Sequence, residues 1–316
     1  VIAALSLSAL LMACAAMPSA PLRNAAIGHR PTTSPAPLEQ PDTWRTDAVK
    51  NVILMIGDGM GVNHIWLSRI ASAGAQGRLN MECMPVSGLV TTHSASNLKT
   101  DSAAAATALA TGRKTVNGMI GVLPDGTVPK TLLEKAEESK MATGLVVTKT
   151  VTDATPAGFS AHCATRDDQA AIASQILEQG IEVILGGGSK YWQPKSQGGT
   201  RDDGRDLLAE ARQQGYHILT GAQDLAKVET MPVLGLLSKN FLAEDGTEPS
   251  LAAMTAKAVR LLSRDPGGFF LLVEGSQIDT RSHRHDTPEV IERVLGFDAA
   301  VKEALSFAAQ DGHTLV

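Results

Sequence analysis

Four short apolar runs, often β-branched, punctuate the chain: Asn51-Val52-Ile53-Leu54-Met55-Ile56, Gly144-Leu145-Val146-Val147, Glu182-Val183-Ile184-Leu185 and Phe269-Phe270-Leu271-Leu272-Val273. Each has the length of a buried strand and is continuously apolar, as strands covered on both faces are. Each gives way to Gly, Asp, Thr or Glu, the polar loop chemistry expected at the carboxyl ends of α/β strands, where ligands bind. Helical patterns lie between the runs, among them Ser102 to Thr111, Asp167 to Gln179 and Glu289 to Gln310. The alternation predicts an α/β fold with a doubly wound, largely parallel central sheet and helices on both faces. His313-Thr314-Leu315-Val316 opens a further β-like run, so the chain is read as stopping inside a strand. No internal repeat interrupts the pattern.

Composition fits that reading and narrows the chemistry. Of 316 residues, 43% are hydrophobic, only 3% are aromatic and 29 are glycine, with mean hydropathy near zero. The core must therefore be packed mainly by Ala, Val, Leu, Ile and Met, which favours close contacts between helix and sheet. The 28 basic and 33 acidic residues leave a formal net charge of −5, and no Lys/Arg cluster tracks a phosphate backbone, so nucleic acid is excluded as a partner. An anionic substrate must be held locally, by a cation, an arginine or a helix N-terminus.

The first residues read differently from the rest. Residues 1–20 form an apolar run ending in Leu11-Met12-Ala13-Cys14 and resemble a bacterial lipoprotein signal, too short to span a bilayer as a helix. Export to the periplasm or outer membrane is expected, with membrane attachment only through a lipid on Cys14. Residues 21–45 are rich in Pro, Ser and Thr and predict a flexible linker, leaving 46–316 as one large domain. An oxidising compartment allows a Cys83–Cys163 bridge, but two free, buried thiols are the favoured expectation.

Candidate chemistry begins at the tip of the first run. Asp58 follows it within Ile56-Gly57-Asp58-Gly59-Met60-Gly61, where glycines allow a tight turn and a close backbone approach to an ion. Ser102 stands where an Ala-rich helix should begin, with Gly112 as its stop. A hydroxyl there feels the positive end of the helix dipole and lies beside free N–H groups that suit phosphate, but it needs a base or metal to become a nucleophile. Glu274 and Asp279 lie five apart at a strand end, an expensive juxtaposition unless a cation neutralises them. His283, four residues on, adds an imidazole, and the mixed O/N set suits zinc.

Taken together, these blocks carry a resemblance. Asp101-Ser102-Ala103-Ala104-Ala105-Ala106-Thr107 resembles the nucleophile signature of the alkaline phosphatase family, and Gly57-Asp58-Gly59-Met60-Gly61 is similar to its first metal-binding loop. Asp153-Ala154-Thr155-Pro156-Ala157 with His162 to Arg166 resembles the segment that supplies a magnesium ligand and the phosphate-gripping arginine. Val273-Glu274-Gly275-Ser276-Gln277-Ile278-Asp279 with His283 resembles the segment that ligates magnesium and zinc. The four blocks stand in the family's order across roughly residues 50 to 300.

The resemblance implies two Zn2+ and one Mg2+, with Asp58 bridging a zinc and the magnesium. Thr155 and Glu274 would ligate magnesium, Asp153 would help through water, and Asp279 and His283 would hold the other zinc. Ser102 would attack a small phosphate monoester to give a covalent phosphoserine, and Arg166 would grip two phosphoryl oxygens bidentately. A homodimer is compatible with this reading. The family's second zinc site also uses an Asp-His pair, and its first zinc a later His; neither is present here, so this chain is expected to be inactive or barely active. Thr280 stands where several members carry a Lys or His that reaches phosphate through water. The alternatives are a phosphodiesterase of the same superfamily and a non-catalytic exported lipoprotein that binds phosphate or metal.

Overall fold

The computed structural model describes residues 49–243 and 246–316; the signal-like segment with Cys14 and the Pro-rich linker lie outside the described residues. Seven strands among the described residues build one sheet: β1 (Asn51–Gly57), β2 (Ala142–Thr150), β3 (Val183–Gly187), β4 (His217–Leu219), β5 (Val233–Leu236), β6 (Phe269–Gly275) and β7 (Thr314–Leu315). Their order is β4-β5-β3-β2-β6-β1-β7, and every pairing is parallel. The first helices are α1 (Val62–Ala73), α2 (Ser102–Thr111), α3 (Leu132–Glu138), α4 (Ala154–Ser160) and α5 (Gln169–Gln179). They are followed by α6 (Leu207–Gln213), α7 (Ala222–Lys227), α8 (Leu251–Leu262), α9 (Gln277–His283) and α10 (Thr287–Asp311).

Side chains of a strand alternate between faces, and the apolar runs divide accordingly. Phe269, Leu271 and Val273 of β6 join a core with α8, α9 and α10, while Phe270 and Leu272 join a second core with α2 through α6. Strand β2 divides the same way, with Val146 in the first core and Leu145 and Val147 in the second. The expected double-sided cover is thus present. Two short strands, β4 and β5, escape sequence reading because three or four residues carry too little pattern.

Helix ends follow local chemistry. In α10, Asp286 caps the N-terminus, Pro288 fits the first turn, and Gly312 takes the left-handed φ of 73° that stops the helix. The alanines of α2 permit an unusually close neighbour. A Cβ placed on Gly158 of α4 would lie 2.7 Å from the Ala106 Cβ, so only glycine allows α4 to rest directly on α2. Cys83 and Cys163 are both free, as expected; Cys163 is buried, whereas Cys83 is only partly so.

At the amino edge of the sheet two half-buried carboxylates meet. The Thr143 hydroxyl donates to both Glu137 and Glu182, and the Thr143 N–H donates to Glu182 at 2.7 Å. Burial, reinforced by the Glu182 charge and opposed by the Thr143 bond, pushes the Glu137 carboxyl up to about 7. A folded-state value raised above the unfolded one contributes stability below the unfolded value that is lost as pH rises through the folded one. Glu137→Gln keeps an acceptor for Thr143 and removes the charge. It should raise the melting temperature at about pH 8 and leave it nearly unchanged at about pH 4, as followed by thermal circular dichroism.

Candidate active site

Register explains why chemistry gathers at the opposite edge. Glu274 of β6 pairs with Ile56 of β1 on one side and Val147 of β2 on the other, so β1 and β6 end at the same level and β2 runs two residues further. Val52, Leu54 and Ile56 pack toward the α2–α6 core, and the same parity continues to Asp58. Leu145 and Val147 lead likewise to Lys149, and Phe270 and Leu272 lead to Glu274. Three ionisable side chains therefore emerge on one face beside α2 and α4.

Ser102 is the first residue of α2, and its hydroxyl donates to Asp58 Oδ1 at 3.1 Å. The helix cap is Asp101, not Ser102: Asp101 Oδ1 accepts from the Ala104 N–H at 3.0 Å. That division of labour matters, because a capping serine would spend its oxygen on the backbone. Asp101 Oδ2 accepts from the Gly118 N–H at 3.0 Å and from Arg166 at 3.3 Å, and the Arg166 N–H donates to the Gly118 carbonyl at 2.8 Å. The other guanidinium arm donates to Asp153 Oδ1 at 3.2 Å. The ion partners of Arg166 are thus Asp101 and Asp153, rather than the adjacent Asp167 or Asp168 that sequence proximity suggests. Although burial disfavours its charge, Asp153 and Asp101 together raise its basicity.

Glu274 is fully buried. Its Oε2 accepts from the Ser276 hydroxyl at 2.6 Å, while Oε1 is buried with no hydrogen-bond partner. Burial first, then the charges of Asp58 and Asp153, push its carboxyl up to about 8, against hydrogen bonds from Ser276 and Thr155. Thr155 sits in the first turn of α4, buried. Asp58 is raised too, by burial and by Asp279 and Asp153, with Lys149 and Ser102 opposing. Asp279 lies in the first turn of α9 and rests against the turn after β1; a Cβ on Gly59, whose φ is +64°, would come 2.7 Å from Asp279 Oδ1. His283 follows one turn later, its Nε2 at 3.4 Å from Asp279 Oδ1, with a side chain 70% exposed at the rim.

One residue of this cluster escapes the sequence pattern. The Lys149 Nζ lies 3.5 Å from Asp58 Oδ2, 3.6 Å from Asp153 Oδ2 and 3.7 Å from Asp279 Oδ2. Burial would depress its ammonium, but Asp153, Asp58, Glu274 and Asp279 outweigh burial and raise it. The available signal was period-two continuation beyond Val147 through Thr148-Lys149-Thr150, which extends the strand past its apolar run. His162, by contrast, belongs elsewhere, with its ring between the Gly121 carbonyl at 2.7 Å and Glu134 at 2.9 Å.

The donor chemistry fits divalent cations. A buried carboxylate oxygen without a partner, flanked by two further acids and a threonine hydroxyl, is an all-oxygen set of the kind magnesium takes, and Asp279 with His283 is a mixed set suited to zinc. Among the described residues no three His, Cys, Asp or Glu side chains converge as a metal cage, and Lys149 stands between the acids that would form one.

The alkaline phosphatase family model matches residues 49–316. Alkaline phosphatase 4 of Bacillus subtilis is 39% identical over 285 residues, covering 85% of this chain and 60% of that protein. Streptomycin-6-phosphate phosphatase of Streptomyces griseus is 35% identical, covering 90% of this chain and 76% of its own length. Among solved structures, alkaline phosphatase from the Antarctic bacterium TAB5 superposes with a TM-score of 0.76 at 35% identity, covering 84% of this chain and 77% of that one. The chain spans about three fifths of the length of its Bacillus relatives. With the fold, the ordered blocks and these identities in agreement, the chain belongs to the alkaline phosphatase family.

Proposed function

We propose that this chain carries the nucleophile and phosphate-binding groups of a metal-dependent hydrolase of phosphate monoesters. The observation that supports it most is the Ser102 hydroxyl, hydrogen-bonded to Asp58 at the start of α2 while Asp101, the residue before it, orients Arg166. The hydroxyl proton is held on the line to Asp58 Oδ1, which leaves an Oγ lone pair for phosphorus. Attack forms the Oγ–P bond as the bond to the leaving alcohol breaks, giving a phosphoserine that water hydrolyses. Asp101 and Asp153 hold the guanidinium so that its paired N–H groups face two phosphoryl oxygens, a geometry a lysine cannot supply. Monoesters, with more charged terminal oxygens than diesters, gain more from such a fork.

Asp58, Asp153, Thr155 and Glu274 would hold Mg2+, and Asp58, Asp279 and His283 would contribute to two Zn2+ sites. Bound there, such ions stabilise charge on the attacking and leaving oxygens. A solved TAB5 alkaline phosphatase variant, 36% identical to this chain, has Mg bound in its M3 site, which supports the magnesium part of this proposal. Export through the Cys14 segment is part of the same reading, and no described helix is long and apolar enough to cross a membrane.

Two substitutions test the chemistry in the intact gene product supplied with zinc and magnesium. Ser102→Ala should lower p-nitrophenyl phosphate turnover on the order of 10³-fold. It should also abolish radiolabel trapped on the protein at acidic pH; a wild-type protein that traps no label on Ser102 refutes the phosphoserine route. Arg166→Lys should reduce kcat/KM for the monoester by about 10²-fold while changing diester turnover much less. Equal losses on both substrates would contradict the assigned role.

A further inference from the structure

Lys149 is out of character for its position. It occupies a strand whose every residue is buried, yet it carries a charge, and its ammonium lies nearly equidistant from carboxylates on three separate elements. Those distances, 3.5 to 3.7 Å, are longer than a tight hydrogen bond and nearly equal, so the group acts as a central charge rather than as the partner of one acid. The ring of Phe241 covers it, with the ammonium 5.9 Å from the centroid. The residue before it is fixed, because the Thr148 hydroxyl accepts from the Ser276 N–H and the Thr148 carbonyl from Gln277. The lysine is thus built into the cluster and has little room to swing away.

Two of its neighbours, Asp58 and Asp153, are acids assigned above to magnesium. Asp58 and Asp153 each direct one oxygen at Lys149, and the opposite oxygens go to Ser102 and Arg166. A divalent cation entering between Asp58, Asp153 and Glu274 therefore competes with a resident positive charge for two of its three acids, and like charges at such range repel strongly where water is excluded. We propose that Lys149 is a resident cation of this cluster, neutralising Asp58, Asp153 and Asp279 from within the fold and weakening Mg2+ binding at the Asp58–Asp153–Glu274 site. This rests on the metal reading given above and adds to it a determinant of metal affinity contributed by strand β2.

Magnesium titration by calorimetry of the metal-stripped full chain tests the idea directly, comparing the wild type with Lys149→Met and Lys149→Arg. Lys149→Met should bind Mg2+ at least about tenfold more tightly than the wild type, and Lys149→Arg should stay weak. In chelator the methionine variant should melt below the wild type, because three acids lose their cation, and added Mg2+ should restore it. If that variant does not fold without metal, recovery of its far-ultraviolet dichroism on adding Mg2+ is the supporting result, and failure to recover overturns the proposal. Equal, tight Mg2+ binding by wild type and Lys149→Met overturns the role of the lysine while leaving the metal site intact. Absence of Mg2+ binding in both overturns the lysine's role and the magnesium assignment together.

Discussion

Negative charge held in excess at the carboxyl edge of the sheet is the constraint around which the rest of the site is organised. Parallel strands bring Asp58 and Glu274 to one edge, two residues apart in register, and α9 and the turn before α4 add Asp279 and Asp153. Lys149 faces Asp58, Asp153 and Asp279, Arg166 faces Asp153 and is shared with Asp101, and His283 lies beside Asp279 at the rim. Burying carboxylates without matching cations costs several kcal/mol per group unless protons or metal ions supply the difference. The fold tolerates that cost where a large apolar core on each face of the sheet can offset it.

The same excess shapes the setting of the Ser102 hydroxyl. Asp101 takes over helix capping, which contributes about 1 kcal/mol in comparable settings, and so releases Ser102 to face Asp58. Its second oxygen anchors the Gly118 turn and one arm of Arg166, so one carboxylate ties the cap, the loop and the guanidinium together. The close seat of α4 on α2, permitted by Gly158 against Ala106, keeps Thr155 and Asp153 in step with that unit. Local sequence choices that look merely structural thereby fix the distances within the cluster.

Much of this was legible in the sequence because its physics is local. The four apolar runs became β1, β2, β3 and β6, His313 to Val316 supplied β7, and the Ala-rich segment became α2 within the expected bounds. Asp58, Ser102 and Glu274 stood out by position at strand tips and a helix start, whereas Thr155 and Arg166 were marked only by the family resemblance. The unread features depend on neighbours distant in the chain. The partners of Arg166 lie 65 and 13 residues away, and nothing in its own segment announces them. Lys149 was hidden because its strand extends past the apolar run, where β-branched threonines sustain the pleat after hydrophobicity has ended.

The two edges of the sheet meet one electrostatic problem in different ways. At the amino edge Glu137 and Glu182 share the Thr143 hydroxyl, and the charge is relieved by a proton that Glu137 retains up to about 7. A proton on Glu137 removes the repulsion between the two acids. At the carboxyl edge a proton on Glu274 would still leave Asp58, Asp153 and Asp279 around one ammonium, and an unpartnered Glu274 oxygen beside them. Relief there calls for a cation with several coordination directions, which is what the divalent ions proposed above would supply beside Ser102. The cluster's incomplete neutralisation is therefore the feature that sets the carboxyl edge of the sheet apart from its amino edge.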